Sequence, residues 1–303
     1  MKFFVTGVNG QLGFDIVNEL NKRGYEAVGS DIVAESPNIK LDITDEKEVA
    51  KVINEVKPDA VIHCAAWTAV DAAEEPENID KVKLINVNGT KYIANACKQL
   101  GIKMTYISTD YVFDGQGDIP WKPDDKNYAP INVYGQSKLD GEIAVANTLD
   151  SYFIVRIAWV FGSNGKNFIK TMLNVGKTHE EVRVVNDQIG TPTYTYDLAR
   201  LIVDINETKK YGYYHATNEG GYISWYDFTK EIYSQATNLK LHDYSNVKVT
   251  PVTTAEYGLS KAARPFNSRL DKSKLVENGF TPLPDWKDAV RRYIGELKKN
   301  GTN

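Results

Sequence analysis

The stretch Val5-Thr6-Gly7-Val8-Asn9-Gly10-Gln11-Leu12-Gly13 spaces three glycines three residues apart near the start of the chain. Phe3–Thr6, before the loop, is predicted to be a strand, and Gln11–Arg23, after it, an amphipathic helix. In that context glycines let backbone N–H groups approach a dinucleotide pyrophosphate at the start of the helix. The residues predicted to bind the dinucleotide in this loop are Gly7, Asn9, Gly10, Gln11, Leu12 and Gly13.

Short apolar runs alternate with amphipathic stretches beyond this loop. The other predicted strands are Tyr25–Gly29, Ala60–Cys64, Lys103–Ser108 and Phe153–Ala158. The other predicted helices are Asp45–Val56, Lys81–Leu100, Val133–Ala146, Tyr196–Asn206, Trp225–Thr237 and Trp286–Leu297. This alternation predicts an α/β fold with a Rossmann-like, doubly wound parallel sheet. Prolines interrupt the pattern after about residue 160, so we expect a dinucleotide-binding domain over 1–160 and a smaller, less regular lobe with mixed secondary structure over 161–303.

The composition excludes several classes of protein. The 303 residues include 36 Lys and Arg against 40 Asp and Glu, a net charge of −4 that excludes a strongly basic nucleic-acid binder. The two cysteines, Cys64 and Cys97, are far apart, which excludes a disulfide scaffold and favours a reducing compartment. No apolar run approaches the ~20 residues that span a bilayer. We therefore expect a cytoplasmic protein with no nucleic-acid or membrane partner.

Asp31 follows the second predicted strand, where a carboxylate accepts hydrogen bonds from the adenosine ribose of a dinucleotide. The same carboxylate repels a 2′-phosphate, and residues 30–36 contain no Arg or Lys to bind one, so the sequence favours NADH over NADPH. Asp42 and Ile43 are predicted to contact the adenine. Small residues at Ala65 and Ala66 leave room for the cofactor beyond another strand.

Tyr134 and Lys138 are four residues apart in a predicted helix and so share a face. A free phenol titrates near ~10, and a neighbouring ammonium favours the phenolate, which lowers the phenol pKa. Such a tyrosine can exchange a proton with a substrate oxygen. Ser108 and Thr109 end a strand upstream and offer a hydroxyl to the same oxygen. We predict that Thr109, Tyr134 and Lys138 are catalytic.

The motifs Gly7-x-x-Gly10-x-x-Gly13, His63-x-Ala65-Ala66 and Tyr134-x-x-x-Lys138 together resemble an extended short-chain dehydrogenase/reductase. Within that superfamily the chain is similar to the dTDP-4-dehydrorhamnose reductase family, over residues 5 to about 297. The segments that carry this closer resemblance are Ala65–Asp71, Ser108–Phe113, Asn132–Gly135, Arg156–Val160, Asn167–Met172, Asn186–Thr193, Trp225–Asp227 and Arg264–Leu270.

The resemblance implies hydride transfer from NADH or NADPH to C4 of dTDP-4-dehydro-β-L-rhamnose. Tyr134 would protonate the C4 oxygen, Thr109 would hydrogen bond to it, and Lys138 would hold the nicotinamide ribose. Arginines would bind the substrate diphosphate, since guanidinium forms bidentate contacts with phosphate. The other cofactor-binding residues that the resemblance implies are Ala65, Ala66, Trp67, Tyr134 and Lys138. The implied substrate-binding residues are Thr109, Asp110, Tyr111, Trp159, Gln188, Arg264 and Arg269. The lobe over 161–303 would mainly bind the nucleotide sugar, with segments interleaved between the two lobes.

The resemblance also bears on metal binding and on the oligomeric state. Some family members are described as homodimers bridged by Mg²⁺ through glutamates. The matching positions here hold Asp15, Tyr196 and Glu296, so one acid is shortened and one is replaced by tyrosine. A hard cation needs several oxygen ligands, so this departure argues against a metal bridge and leaves the homodimer open. We predict no metal ligands.

Other functions remain open on the same motifs. A reductase or epimerase acting on another 4-keto nucleotide sugar would carry similar residues, because pocket shape sets the sugar. Dehydratases of this fold carry an additional acid where Tyr111 stands, which argues against that activity. A non-catalytic NAD(P)-binding regulatory subunit, similar to the beta subunit of methionine adenosyltransferase, is disfavoured by the intact Thr109, Tyr134 and Lys138.

Overall fold

The computed structural model describes residues 1–301. The strands are β1 (Lys2–Thr6), β2 (Glu26–Asp31), β3 (Ile39–Lys40), β4 (Ala60–His63), β5 (Lys103–Thr109), β6 (Tyr152–Ile157), β7 (Val160–Phe161), β8 (Glu181–Val185), β9 (Ile189–Gly190), β10 (Thr193–Tyr194), β11 (Gly212–His215), β12 (Asn218–Glu219), β13 (Ile223–Ser224), β14 (Lys248–Val252), β15 (Asn267–Ser268) and β16 (Leu283–Asp285). The α-helices are α1 (Gln11–Lys22), α2 (Glu46–Val56), α3 (Val70–Ala73), α4 (Ile79–Lys83), α5 (Thr90–Leu100), α6 (Val133–Thr148), α7 (Phe168–Gly176), α8 (Thr195–Asn206), α9 (Trp225–Asn238), α10 (Thr254–Tyr257), α11 (Ser273–Glu277) and α12 (Trp286–Lys299).

A seven-stranded parallel sheet with the order β3-β2-β1-β4-β5-β6-β11 forms the centre of the protein. The strand order reverses between β1 and β4, and in open α/β sheets ligands bind outside the carboxyl ends of the strands at such a point. The predicted doubly wound α/β sheet is confirmed. The glycine loop follows β1 and therefore lies at this reversal.

The central strands are buried on both faces, as parallel strands covered by helices must be. On one face, Leu12, Ile16 and Leu20 of α1 pack with apolar residues of β1, β6 and α8. On the other face, apolar residues of α2 and α5 pack against β4 and β5. Burial of these stripes on both sides fixes the position of the helices, including α1, which begins at the reversal point.

The second lobe has its own aromatic core. Phe161, Tyr194, Phe228, Trp286 and Tyr293 are buried there, between α7, α9 and α12. Its strands form small sheets of two or three strands, β10-β7, β12-β16, β13-β9-β15 and β14-β8. The predicted boundary near residue 160 stays a prediction, and the chain also returns to the large sheet, where β11 pairs with β6 and α8 packs on α1.

Two local features differ from the predicted helices. The predicted helix Lys81–Leu100 begins earlier, at Ile79, and contains a π-helical turn at Leu84–Gly89 between α4 and α5. The sequence pattern also did not predict α7, although Asn167 caps it by accepting a hydrogen bond from the Lys170 amide at 3.1 Å. Within residues 1–301, no helix combines the length and the apolar character that crossing a bilayer requires.

Candidate active site

A cavity of about 770 Å³ opens at the carboxyl ends of β1, β4, β5 and β6. It brings together glycine-loop, cofactor and catalytic positions that are far apart in sequence. The predicted site residues that line it are Gly7, Gly10, Gln11, Leu12, Gly13, Asp31, Asp42, Ile43, Ala65, Ala66, Thr109, Asp110, Tyr111, Tyr134, Lys138 and Trp159. One cavity therefore holds both the dinucleotide loop and the proposed proton donor.

The glycine loop is shaped for close backbone approach. Gly7 has φ +72°, and a Cβ there would lie 2.7 Å from the Ala65 amide nitrogen. A Cβ at Gly13 would overlap the Gly7 carbonyl oxygen. α1 has Gly10 at its N-cap, with no side-chain cap and no acidic residue in the first turn, so the helix start is free to face an anion. These residues fit the pyrophosphate of a dinucleotide.

The carboxyl end of β2 supplies polar groups to the other side of the cavity. Asp31 Oδ2 accepts a hydrogen bond from the Asn9 amide at 3.0 Å. The adjacent Ser30 Oγ is buried and has no hydrogen-bond partner among residues 1–301, as fits a hydroxyl that a ligand would satisfy. Asp42 accepts hydrogen bonds from the amide and hydroxyl of Thr44, at 2.9 and 2.7 Å, and so shapes the turn after β3.

The three predicted catalytic residues come from two elements. Thr109 ends β5, while Tyr134 and Lys138 lie on α6, whose start is capped by Asn132 accepting from the Gly135 amide at 2.7 Å. Thr109 and Tyr134 line the same cavity, and Thr109 Oγ1 accepts a hydrogen bond from the Tyr111 amide at 3.3 Å. Burial raises the pKa of the Tyr134 phenol, and the neighbouring Asp110 carboxylate raises it further. The phenol is thus held protonated, the form that a proton donor needs.

The charge relation between Tyr134 and Lys138 differs from the one expected from their spacing. We expected the ammonium to lower the phenol pKa, but burial is the larger influence on Tyr134. The Lys138 ammonium lies over the Tyr106 ring, 4.0 Å from its centroid. Burial lowers the pKa of Lys138 to about 7. The four-residue spacing places Tyr134 and Lys138 on one helix, whereas burial in the cavity has the largest influence on the pKa of each.

Asp110, Tyr111 and Trp159 form the part of the cavity next to Tyr134. Asp110 Oδ1 accepts a hydrogen bond from Thr109 at 2.9 Å, its Oδ2 is buried with no partner among residues 1–301, and burial raises its pKa to about 6. The Tyr111 ring meets the Tyr134 ring edge-on, with 5.6 Å between centroids. Trp159 has φ +51° and stacks on Trp225 at 3.8 Å. A bulky residue in the left-handed region is strained, and such strain is concentrated at functional sites.

Five predicted site residues do not line the cavity. Asn9 supports Asp31 through its amide, and the Trp67 indole donates to the Ala69 carbonyl at 3.0 Å. The other three lie in the second lobe. The Gln188 carboxamide donates to Thr254 at 3.0 Å, the Arg269 guanidinium donates to Asn267 at 3.1 Å, and the Arg264 guanidinium donates to Tyr111 and Asp71. Their binding roles stay predictions.

Comparison with known proteins decides the family. The family model described as RmlD substrate binding domain matches residues 1–299. The chain belongs to this family. It is 36% identical over 303 residues to dTDP-4-dehydrorhamnose reductase from Escherichia coli strain K12, covering 98% of each chain. It is also 38% identical over 295 residues to the spore coat polysaccharide biosynthesis protein SpsK from Bacillus subtilis, covering 97% of each.

Solved structures agree with this family membership. A dTDP-4-dehydrorhamnose reductase from Clostridium acetobutylicum has a TM-score of 0.89 and 43% identity, covering 98% of this chain and 100% of that one. The dTDP-4-dehydrorhamnose reductase from Bacillus anthracis, solved in complex with NADP, has a TM-score of 0.87 and 41% identity, covering 97% and 99%. The resemblance to the dTDP-4-dehydrorhamnose reductase family is confirmed.

This family member has cavity residues that sequence reasoning assigned no role. Phe168 and Trp225 line the cavity as an aromatic wall beside Trp159, with Phe168 and Trp225 ring centroids 4.5 Å apart. Both belong to segments that carried the family resemblance. Lys81 also lines the cavity, and no spacing pattern marked it. The wall forms because α7 and α9 of the second lobe meet the end of β6, which a local pattern does not reveal.

Two of the positions that match the Mg²⁺ ligands of other family members accept hydrogen bonds from hydroxyl groups of the same chain. Asp15 is buried and accepts a hydrogen bond from the Thr195 hydroxyl. Glu296 Oε2 accepts hydrogen bonds from the Ser163 hydroxyl at 2.9 Å and from the Tyr194 hydroxyl at 2.8 Å, so both donors use the same carboxylate oxygen. Within residues 1–301, no three His, Cys, Asp or Glu side chains come together so as to hold a metal ion. The absence of metal ligands stays a prediction, because a metal that bridges two copies of the chain would take ligands from both.

Proposed function

We propose that this chain is the reductase that converts dTDP-4-dehydro-β-L-rhamnose to dTDP-L-rhamnose with NAD(P)H. The observation that carries the proposal is the meeting of Thr109, Tyr134 and Lys138 with the glycine loop in one cavity. Relatives at 36% and 43% identity over nearly the whole chain are named dTDP-4-dehydrorhamnose reductase. The cavity volume of about 770 Å³ also lies within the range usual for small-molecule and cofactor sites.

The chain's own groups perform the proton chemistry in this proposal. A bound reduced nicotinamide supplies the hydride that reaches the C4 carbon of the sugar. Tyr134 donates its phenolic proton to the C4 oxygen, which takes the electron pair of the carbonyl double bond. Thr109 orients that oxygen by hydrogen bonding. Lys138 would hold the nicotinamide ribose, and in its protonated form its charge favours the phenolate left on Tyr134.

We infer that NADH is the preferred cofactor. Asp31 lines the cavity at the end of β2, where its carboxylate faces the expected position of the adenosine ribose. A 2′-phosphate at that place would meet this negative charge. Because a relative at 41% identity was solved with NADP, both reduced cofactors belong in the assay.

Absorbance of reduced nicotinamide tests the proposal. The purified protein is mixed with dTDP-4-dehydro-β-L-rhamnose and either NADH or NADPH, and oxidation at 340 nm is followed. We expect turnover, with a larger kcat/KM for NADH. Tyr134→Phe should lower kcat by about 10²–10⁴-fold, the usual contribution of a general acid. Tyr257→Phe, a change in the short helix α10 outside the cavity, is the matched control and should leave the rate unchanged.

Three outcomes would contradict parts of this proposal. Absence of oxidation with both cofactors would overturn the reductase function. Faster turnover of a different 4-keto nucleotide sugar would keep the reaction and replace the substrate. Full activity in Tyr134→Phe would overturn the assigned proton donor.

A further inference from the structure

The guanidinium of Arg264 stands next to the cavity, although it does not line it. Its Nη1 donates to the Tyr111 hydroxyl at 3.3 Å, and Tyr111 meets Tyr134 edge-on inside the cavity. The Arg264 side chain is 19% exposed, so its charge is largely sheltered from water. A fixed positive charge is therefore separated from the proposed proton donor by one aromatic ring.

The chemistry of the proposed substrate requires a cation at about that place. A hexose that presents its C4 carbonyl to Tyr134 carries its diphosphate on C1, across the sugar ring. An anion-binding group is thus expected one ring away from the phenol. Arg264 meets this condition, whereas Arg269 is turned toward the Asn267 carboxamide at 3.1 Å.

Asp71 of α3 holds Arg264 in this position. Its Oδ2 lies 2.6 Å from Arg264 Nη2, and its Oδ1 accepts a hydrogen bond from the Ala262 amide at 3.0 Å. One carboxylate therefore fixes both the side chain and the nearby backbone of the segment that carries Arg264. The contact also joins the second lobe to the residues predicted to bind the cofactor after β4, because α3 directly follows the Ala65–Ala69 stretch.

We propose that Asp71 is a positioning residue, which orders Arg264 to bind the diphosphate of a nucleotide sugar; this inference rests on the proposed function. A guanidinium has five N–H donors, and the contacts with Asp71 and Tyr111 use only part of them. The remaining donors are presented in a fixed orientation. Holding a long side chain in its binding conformation removes an entropy cost from ligand binding.

A second explanation makes the opposite prediction. A carboxylate beside Arg264 could serve only as its counter-charge, in which case it would repel the incoming diphosphate. Removing the Asp71 charge would then strengthen diphosphate binding. If Asp71 positions Arg264, removing the charge weakens it. The sign of the change in affinity distinguishes these two roles.

The variant Asp71→Asn tests the proposal because it keeps the shape and gives up one of the two carboxylate contacts. We expect the KM for the nucleotide sugar to rise about tenfold, the size of one lost charge-assisted hydrogen bond, with kcat within twofold of wild type. The dissociation constant of dTDP, measured by calorimetry, should rise in parallel, while that of NADH stays unchanged. Glu75→Gln is the matched control, since Glu75 pairs with Lys261 of the same segment and does not touch Arg264.

The double variant Asp71→Asn with Arg264→Ala completes the test. If Asp71 acts through Arg264, adding Asp71→Asn to Arg264→Ala should change dTDP affinity no further. Additive losses, tighter dTDP binding, unchanged binding, or an equal loss of NADH affinity would each overturn the positioning role. Calorimetry measures dTDP binding without turnover. Failure of the wild-type protein in the reductase assay would therefore refute the proposed function, while the dTDP affinities of the variants would still test the role of Asp71.

Discussion

The substitution Gly13→Ala should weaken cofactor binding. The added methyl would overlap the Gly7 carbonyl oxygen and lie 2.8 Å from the Gly7 carbonyl carbon and 3.0 Å from Val8 Cα. These are backbone atoms, so the turn itself must move, by roughly the 0.5–1 Å that restores normal contact. Such a shift misaligns the amides at the start of α1 that face the pyrophosphate.

The size of the effect follows from the bonds disturbed. Each hydrogen bond to a charged group contributes about 1.5–3 kcal/mol, so weakening one or two should raise the KM for NADH by at least tenfold. Initial rates at varied NADH and saturating sugar measure this constant. Gly295→Ala is the matched control, because a Cβ there meets nothing within 4 Å and lies in helix α12. It should leave the KM unchanged and stabilise the helix by roughly 0.5–1 kcal/mol. An unchanged KM in Gly13→Ala would show that the loop does not hold the pyrophosphate.

Two further predictions concern stability. Burial raises the pKa of Asp15 from an ordinary value of 3.8 to about 6, so the folded state binds the Asp15 carboxyl proton more tightly than the unfolded state does. The free energy of unfolding therefore falls as the pH rises between these two pKa values. Asp15→Asn should therefore add up to about 3 kcal/mol at pH 7.5 and little at pH 4, measured by urea unfolding; an equal gain at both pH values would contradict the cause. Arg156→Met leaves the Glu142 carboxylate buried without its partner at 2.7 Å and should cost about 3–5 kcal/mol, whereas Lys230→Met, which breaks an exposed pair with Asp227, should cost under about 1 kcal/mol. A similar loss in both variants would show that burial of the Arg156 pair is not the cause.

Much of the fold could be predicted because its signals are local. Every predicted strand and helix has a counterpart in the structure, since each carries a period that burial on one or both faces requires. The π-helical turn at Leu84–Gly89 has no such signal. There a Cβ on Gly89 would already lie 3.0 Å from the Ile43 side chain, which is a constraint from a distant segment.

The candidate site was predictable where a motif fixes the backbone. The glycine loop and the spacing of Tyr134 and Lys138 are of this kind. Protonation was not predictable, because the rise in the Tyr134 pKa comes from burial by the whole cavity. The hydrogen-bond partners of long side chains were also not predictable. Arg264 and Arg269 are close in sequence, yet Arg264 donates to Asp71 and Arg269 donates to Asn267.

The return of the chain to the large sheet has a consequence for dissecting this protein. β11 covers the outer side of β6, and α8 covers the apolar stripe of α1, yet both belong to residues beyond 190. A fragment cut near residue 160 would leave β6 as an unprotected edge strand, and its free N–H and C=O groups would be a template for aggregation. The cofactor-binding half is therefore not separable from the rest of the chain, and its solubility depends on α8 and β11.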